Sequence, residues 1–193
     1  MFSNNQLQAM IRGERIGDVF PYADGSERDL NNYLKQIAAE LERMKISCEN
    51  EPQHFGSGYA SYIQWLCYDK EHVVVKEEHS IRREEIDGLV VLISSLAPVI
   101  LIGPGHKNCN IKVEDNQFVS GSSTMLFDPV QLEIPPKFEG LRNQIERLFM
   151  KYHYTVLRKE DVEALLPFEA TIPTIARQKG KYLVWDAIFY WTD

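Results

Sequence analysis

The residues best suited to chemistry lie together in one short segment, Gly103-Pro104-Gly105-His106-Lys107-Asn108-Cys109. Because this segment follows an apolar stretch, its backbone N–H groups, with His106 and Lys107, could bind an anion. Cys109 is three residues from His106, so a thiolate–imidazole pair is a candidate for nucleophilic catalysis. The Gly-Pro-Gly sequence equally predicts an ordinary turn that exposes polar residues. A P-loop is excluded, because the GxxxxGK[ST] pattern is missing.

The other reactive residue types show no pattern of a catalytic or metal site. Neither HExxH nor CxxC occurs, so we expect no metal and no cofactor. The segment 121–124 contains two serines but lacks the GxSxG elbow, and we expect a surface loop there. The missing signatures favour a protein that is not an enzyme, and a small cytoplasmic enzyme using His106 to Cys109 is the alternative. The histidines are His54, His72, His79, His106 and His153.

Acidic and aromatic residues suggest a protein-binding surface instead. A cluster of carboxylates lies in what we expect to be a charged connection between strands. The stretch 182–191 is dense in aromatic residues, and an alternating strand cannot bury every ring. Exposed Trp and Tyr side chains are typical anchors of binding sites. The candidate binding residues are Glu77, Glu78, Glu84, Glu85, Asp87, Tyr190 and Trp191.

The composition favours a globular protein of the cell interior. With 28 acidic against 21 basic residues the net charge is −7. This argues against nucleic-acid binding, because phosphate contacts need clustered Lys and Arg. The longest apolar stretch, 88–105, is interrupted by Ser94, Ser95 and Pro98, so it cannot cross a membrane as one helix. Residues 1–15 lack the apolar core of a secretory signal.

The cysteines support the same location. Cys48, Cys67 and Cys109 are odd in number and show no close pairing, which predicts free thiols in a reducing compartment. We therefore expect a cytoplasmic protein in which none of the three is catalytic. The sequence does not determine the oligomeric state.

The clearest predicted element is an amphipathic helix over 30–44. Ser26 and Asp29 form a variant of the capping box just before it, and 50–52 marks a region beyond its end. The apolar positions at helical spacing are Leu30, Leu34, Ile37, Leu41 and Met44.

Apolar runs without helical spacing predict a strand-rich middle. Two of them, 89–93 and 99–102, are separated by a short link and predict an antiparallel hairpin of central strands. A second hairpin is predicted within 108–119. The remaining predicted elements are strands at 59–68, 72–79 and 154–157, and helices at 138–152 and 159–166.

A helix, then a run of strands, then further helices predicts an α+β fold. We expect a largely antiparallel sheet packed against the N-terminal helix and the C-terminal helices. One domain should span 1–193, in keeping with the usual size of domains. Within it, 1–25 is expected to form an irregular N-terminal arm, because 15–25 has no helical period and contains Pro21 and Gly25.

Several segments of the last third share a pattern: 151–157, 160–167, Ile172-Pro173 and 182–191, with the strand pair around 89–103 and its turn at 94–98. With these segments the chain resembles bacterial immunity proteins, which are encoded beside the toxins of polymorphic and contact-dependent systems. The resemblance implies a catalytically inert cytoplasmic protein that binds one toxin domain, and it carries over no functional residue. The expected partner is another protein, most concretely a basic toxin domain, which an acidic protein would attract.

Overall fold

Helices occupy both ends of the chain and strands its middle, as predicted. The structure, a computed structural model, describes residues 2–50, 59–174 and 176–192. The helices are α1 (Asn4–Ile11), α2 (Glu27–Arg43), α3 (Glu139–Lys151), α4 (Lys159–Val162) and α5 (Val184–Ile188). The strands are β1 (Ser47–Asn50), β2 (Tyr59–Ala60), β3 (Tyr62–Tyr68), β4 (Val73–Glu78), β5 (Ile81–Ser94), β6 (Val99–Lys112), β7 (Phe118–Ser123), β8 (Thr155–Val156) and β9 (Trp191–Thr192).

A long antiparallel ribbon of β5 and β6 organises the sheet. The two strands have 14 residues each and pair along almost their whole length, so the predicted hairpin is confirmed. Near its turn at 95–98 the ribbon is flanked by β3, β1 and the short parallel β8; at its far end it is flanked by β4 and β7. Among the described residues these seven strands form one sheet, which confirms the predicted α+β fold with a largely antiparallel sheet. Strands β2 and β9 pair separately.

Helical layers cover both sides of the sheet around the hairpin turn. Leu89, Val91 and Ile93 of β5 point to one side, which we call the front face, where α2 and α3 pack. Val90 and Leu92 point to the other side, the back face, which is covered by residues of α1, α5 and the C-terminal loops. Successive residues of a strand face opposite sides, so this continuous apolar run is buried on both faces of the sheet, as predicted for central strands.

Helix α2 begins as the sequence predicts. Ser26 Oγ accepts a hydrogen bond from Asp29 N–H at 3.2 Å, and the Asp29 carboxylate accepts one from Ser26 N–H at 2.9 Å. The predicted apolar positions Leu30, Leu34, Ile37 and Leu41 are all buried against the front face. Met44 is an exception, because it follows the last helical residue and is 38% exposed. The region expected beyond this helix, 50–52, lies largely outside the described residues.

The predicted irregular arm is wrong for its first half. Residues 4–11 form α1, which a capping box between Ser3 and Gln6 initiates. Leu7 and Met10 are buried in the back-face core. Two apolar positions three residues apart are too few to establish a helical period in the sequence. From Arg15 to Gly25 the chain does run through bends and turns.

A disulfide joins two of the cysteines, so the prediction of three free thiols is wrong. Cys48 of β1 and Cys67 of β3 are directly opposite each other, with Cα atoms 4.3 Å apart. A crosslink between residues 19 apart stabilises a fold by about 3 kcal/mol in the chain-entropy model. Cys109 is free. The cysteines therefore do not indicate a reducing compartment.

A buried ion pair fixes the C-terminal segment. Arg177 donates to the Asp186 carboxylate at 2.7 Å and also to Asp128. Asp186 accepts a further hydrogen bond from Leu183 N–H at 2.7 Å, at the start of α5. Burial raises the pKa of Asp186 despite these partners.

Among the described residues, no helix has both the length and the apolar character that a membrane span requires.

Candidate functional site

Half of the central sheet extends beyond the helical layers. We call it the distal sheet; it consists of β4, residues 81–87 of β5, residues 106–112 of β6, and β7. Nearly all residues of the two outer strands are exposed. A sheet with so little cover contributes few buried contacts of its own, so its exposed side chains are free to meet another molecule.

Large apolar side chains are exposed on the distal sheet. Val74 is 47% exposed, Val75 54%, Phe118 64% and Val119 50%. The ring of Phe118 lies over Gly121, since a Cβ placed on that glycine would be 3.2 Å from Phe118 Cε2. None of these four residues was predicted as a site residue. For Phe118 and Val119 the available signal is a short segment without a charged residue, since β7 contains none.

The five predicted acids all lie on the distal sheet, but they are divided between its faces. The expected charged connection is wrong, because Glu77 to Asp87 form a β4–β5 hairpin that turns at 79–80. Cross-strand partners share a face, and the register therefore separates the acids. Glu77 and Glu84 lie on the back face, and Glu78, Glu85 and Asp87 lie on the front face.

Two of the acids form matched ion pairs on opposite faces. Arg82 Nε is 2.8 Å from the Glu84 carboxylate on the back face. Arg83 is 2.7 Å from the Glu85 carboxylate on the front face. Surface pairs of this kind contribute little to stability. They leave the distal sheet less acidic than its carboxylates alone would suggest.

Asp87 and His106 form a pair at the front edge of the distal sheet. Asp87 accepts hydrogen bonds from His106 Nδ1 at 2.9 Å and from Lys137 Nζ at 3.0 Å. These two donors hold the pKa of Asp87 below its usual range. A carboxylate that orients a histidine is one part of a catalytic dyad, but a nucleophile must lie within reach of the ring. Among the described residues, no hydroxyl or thiol is hydrogen-bonded to the His106 ring.

The predicted loop over 103–109 is wrong, because these residues belong to β6. His106 lies on the front face, and Lys107 and Cys109 lie on the back face, so the thiolate–imidazole pair does not form. Lys107 Nζ instead binds the Glu49 carboxylate at 2.6 Å. Burial raises the pKa of the Cys109 thiol, which disfavours the reactive thiolate.

The glycines of this segment serve close packing within the sheet. A Cβ on Gly105 would lie 2.8 Å from side-chain atoms of Leu66 and Val90. Gly88, which is directly opposite Gly105, would place a Cβ 2.5 Å from the Cys67 carbonyl oxygen. The Gly-Pro-Gly sequence therefore reflects the crowding of neighbouring strands, and not a turn. Segment 121–124, predicted as a loop, likewise belongs largely to β7.

The predicted aromatic anchors lie elsewhere in the fold. Tyr190 is 4% exposed and donates from its hydroxyl to the Met10 carbonyl at 3.3 Å, so its prediction as an exposed anchor is wrong. Trp191 is half-buried and packs against the back-face core. The stretch 182–191 is not one strand: its middle forms α5, Tyr190 follows this helix, and Trp191 begins β9, which pairs with β2. The acids and these aromatic residues are therefore not brought together.

In the part of the chain that the structure describes, no three His, Cys, Asp or Glu side chains converge as metal ligands would; His54 lies outside it. Comparison with protein-family models, with curated protein sequences and with solved structures finds no match to this chain. We therefore infer the function from the chemistry of the distal sheet.

Proposed function

We propose that this chain is a non-catalytic protein-binding protein, and most concretely an immunity protein that neutralises a toxin domain. The observation that carries the proposal is the uncovered distal sheet, with Phe118, Val75 and Val119 exposed by half or more of their surface. Phe118 and Val119 are adjacent on β7, and grouped exposed apolar side chains on a folded protein mark sites of association. A single well-placed aromatic side chain often provides much of the affinity of an interface.

The back face of the distal sheet is the better contact surface. It combines Val75 and Phe118 with the partly exposed Ile111, and two carboxylates, Glu77 and Glu84, lie among them. The front face is more polar, because Asn108 and Asn110 hydrogen-bond to serines of β7 there. Phe118 and Ile111 are cross-strand neighbours, Val75 lies on the opposite outer strand, and Arg82 and Glu84 lie between them, so this face offers apolar and charged contacts together, as protein–protein interfaces do.

The net charge of −7 supports a basic partner. Complementary charge speeds the encounter of two proteins more than it tightens the final complex. A toxin domain that acts on nucleic acid or another polyanion would carry such a basic surface. Covering that surface would block it without any chemistry by the bound protein.

An immunity function would place the protein in the bacterial cytoplasm. In that compartment thiol reductants keep most cysteines reduced. The disulfide between Cys48 and Cys67 counts against this location. A count of free thiols in protein trapped with alkylating reagent directly in cells tests the location separately from binding.

The proposed contact is tested by surface plasmon resonance against the product of the neighbouring gene, at two salt concentrations. Association should slow as salt rises, because charges are screened over about 8 Å at physiological ionic strength. Phe118→Ala should raise the off-rate, with a loss of affinity of about 2 kcal/mol or more.

Glu84→Lys and Glu85→Lys form a matched pair, since each breaks one arginine pair and each makes the same charge change. Glu84→Lys on the back face should slow association more than Glu85→Lys on the front face. Equal effects would show that the back face is not the contact surface. No binding at micromolar concentration, together with a turnover that His106→Ala or Cys109→Ser abolishes, would establish the alternative, a small enzyme.

A further inference from the structure

Strand β7 is an edge strand whose pairing with β6 is regular over 120–123, because the register shifts between Asn110 and Ile111, opposite 118–120. Its six residues, Phe-Val-Ser-Gly-Ser-Ser, include neither a charge nor a proline. Proteins normally place these residues on exposed edges to prevent pairing with another chain. The opposite edge of the distal sheet, β4, contains the charged residues Lys76, Glu77 and Glu78. The edge of β7 is therefore open to the addition of a strand.

The backbone of β7 presents hydrogen-bonding groups to solvent. Thr124 N–H donates to the His106 carbonyl at 2.9 Å, so Ser122 and Ser120 also direct their backbone groups toward β6. The backbone groups of Gly121 and Ser123 then point away from β6. Among the described residues, none outside β6 forms a backbone hydrogen bond with 118–123.

We propose that β7 pairs with β7 of a second copy of this chain, antiparallel about a twofold axis at Gly121. Residues opposite each other in an antiparallel pair point to the same side of the sheet. An axis between two residues would place neighbours of opposite direction across from each other, so the axis must pass through one residue. Gly121 lies in the middle of the edge, and its N–H and C=O face outward. Two copies of Gly121 opposite each other can therefore exchange two N–H···O=C hydrogen bonds. The distal sheet then grows from four strands to eight.

The side chains of β7 fit a second copy of themselves. Asn110 donates to Ser120 Oγ and Asn108 donates to Ser122 Oγ, both at 2.9 Å. The axis at Gly121 places Ser120 opposite Ser122 of the second copy. Each hydroxyl still has a proton to donate, so the Asn–Ser ladder can continue across the axis.

The charges also favour a second copy over a basic segment at this edge. A strand without charges places no like charges opposite each other when it pairs with itself. A basic strand would find no carboxylate on β7, since the acids lie on the other strands of the distal sheet. Self-pairing uses the backbone edge of β7, whereas the proposed toxin contact uses side chains of the back face, and the two have opposite salt dependence. Two copies of net charge −7 repel each other, and added salt screens the repulsion.

Sedimentation equilibrium of the full chain, up to about 100 μM and at low and high salt, measures the pairing. We expect a monomer–dimer equilibrium that tightens with salt. The register is tested by two double variants, S120K/S122K and S120E/S122K. The first places lysine opposite lysine twice across the axis, and the second places glutamate opposite lysine twice. The first should weaken the dimer about tenfold or more relative to the second.

Both variants remove the same two hydroxyls from exposed positions, so their folding should match that of the wild type in circular dichroism and thermal melts. A wild type that remains monomeric at every concentration and salt would overturn the proposal. A dimer that neither variant weakens would place the contact elsewhere and would also overturn it. Equal weakening by both variants would exclude the register centred on Gly121.

Discussion

A buried carboxylate, Glu146, gives a sharp test of how the C-terminal half is held. Its side chain is 9% exposed and accepts three hydrogen bonds, one from Arg142 at 2.7 Å and two from Arg158 at 2.6 and 2.9 Å. It thus joins α3 to the chain that follows β8. Glu146→Gln keeps the shape of the side chain, but it removes the charge and turns an amide N–H toward an arginine.

The size of the effect follows from the exposure of the partners. Removing one member of a fully buried ion pair costs about 3–5 kcal/mol. Here Arg142 and Arg158 are 31% and 43% exposed, so water can solvate both guanidinium groups once the carboxylate is gone. A hydrogen bond to a charged group contributes about 1.5–3 kcal/mol. We therefore expect Glu146→Gln to lower the free energy of unfolding by about 2–3 kcal/mol at neutral pH.

The same reasoning predicts how this loss depends on pH. Burial by itself would raise the pKa of Glu146, but the hydrogen bonds from Arg158 and Arg142 outweigh it and hold the pKa below its usual range. The carboxylate therefore stabilises the fold fully above the unfolded-state pKa of about 4.3. That stabilisation is lost as pH falls through the lower, folded-state value. The difference between wild type and Glu146→Gln should shrink toward zero there.

Urea unfolding followed by the fluorescence of the buried Trp65 and Trp185 measures this difference at each pH. Glu163→Gln is the control, because the Glu163 side chain is 48% exposed and 3.8 Å from Lys159. The control should change stability by about 0.5 kcal/mol or less. A loss this small for Glu146→Gln, or a loss that persists unchanged in acid, would show that the Glu146 carboxylate does not hold Arg142 and Arg158 as described.

Three further predictions concern the core and the cysteines. Leu34→Ala should lower the free energy of unfolding by about 2–5 kcal/mol, because Leu34 is 4% exposed. Met44→Ala should lower it by about 0.5 kcal/mol or less. Equal losses in urea titrations would show that the buried face of α2 is misassigned. Unreduced, denatured protein should titrate one thiol per chain, Cys109, and three after reduction of Cys48 and Cys67. Three thiols before reduction would exclude the disulfide. Native Cys109 should label slowly at about pH 6, since burial raises its pKa; rapid labelling that far below the free-thiol pKa of about 8.5 would support the enzyme.

The elements with a clear period could be predicted from the sequence. Leu30, Leu34 and Ile37 recur at the spacing of one helical face, and α2 buries that face. The two apolar runs around the 95–98 turn are strands covered on both sides. Such patterns are local, because a helix or strand repeats its own geometry every few residues. The α+β fold follows from the order of these elements.

The boundaries of the candidate site could not be predicted in this way. Residues 81–87 and 106–112 are polar, and nothing local distinguishes a charged loop from a strand that extends past its helical cover. Phe118 is exposed and Tyr190 is buried, although both are aromatic residues. Burial is decided by what packs against a residue, which depends on distant parts of the chain.

The class of fold, the main helix and the central hairpin are encoded in local patterns, because each depends on residue spacing within one segment. Tertiary structure alone decided which residues meet. Strand register places Cys48 opposite Cys67, 19 residues away, and puts His106 and Cys109 on opposite faces of one strand. Register is fixed by hydrogen bonds between strands and by the burial of one face, and a shift of one residue would reverse every face. No local pattern contains that information, so the distal sheet and its divided acids became visible only in the folded chain.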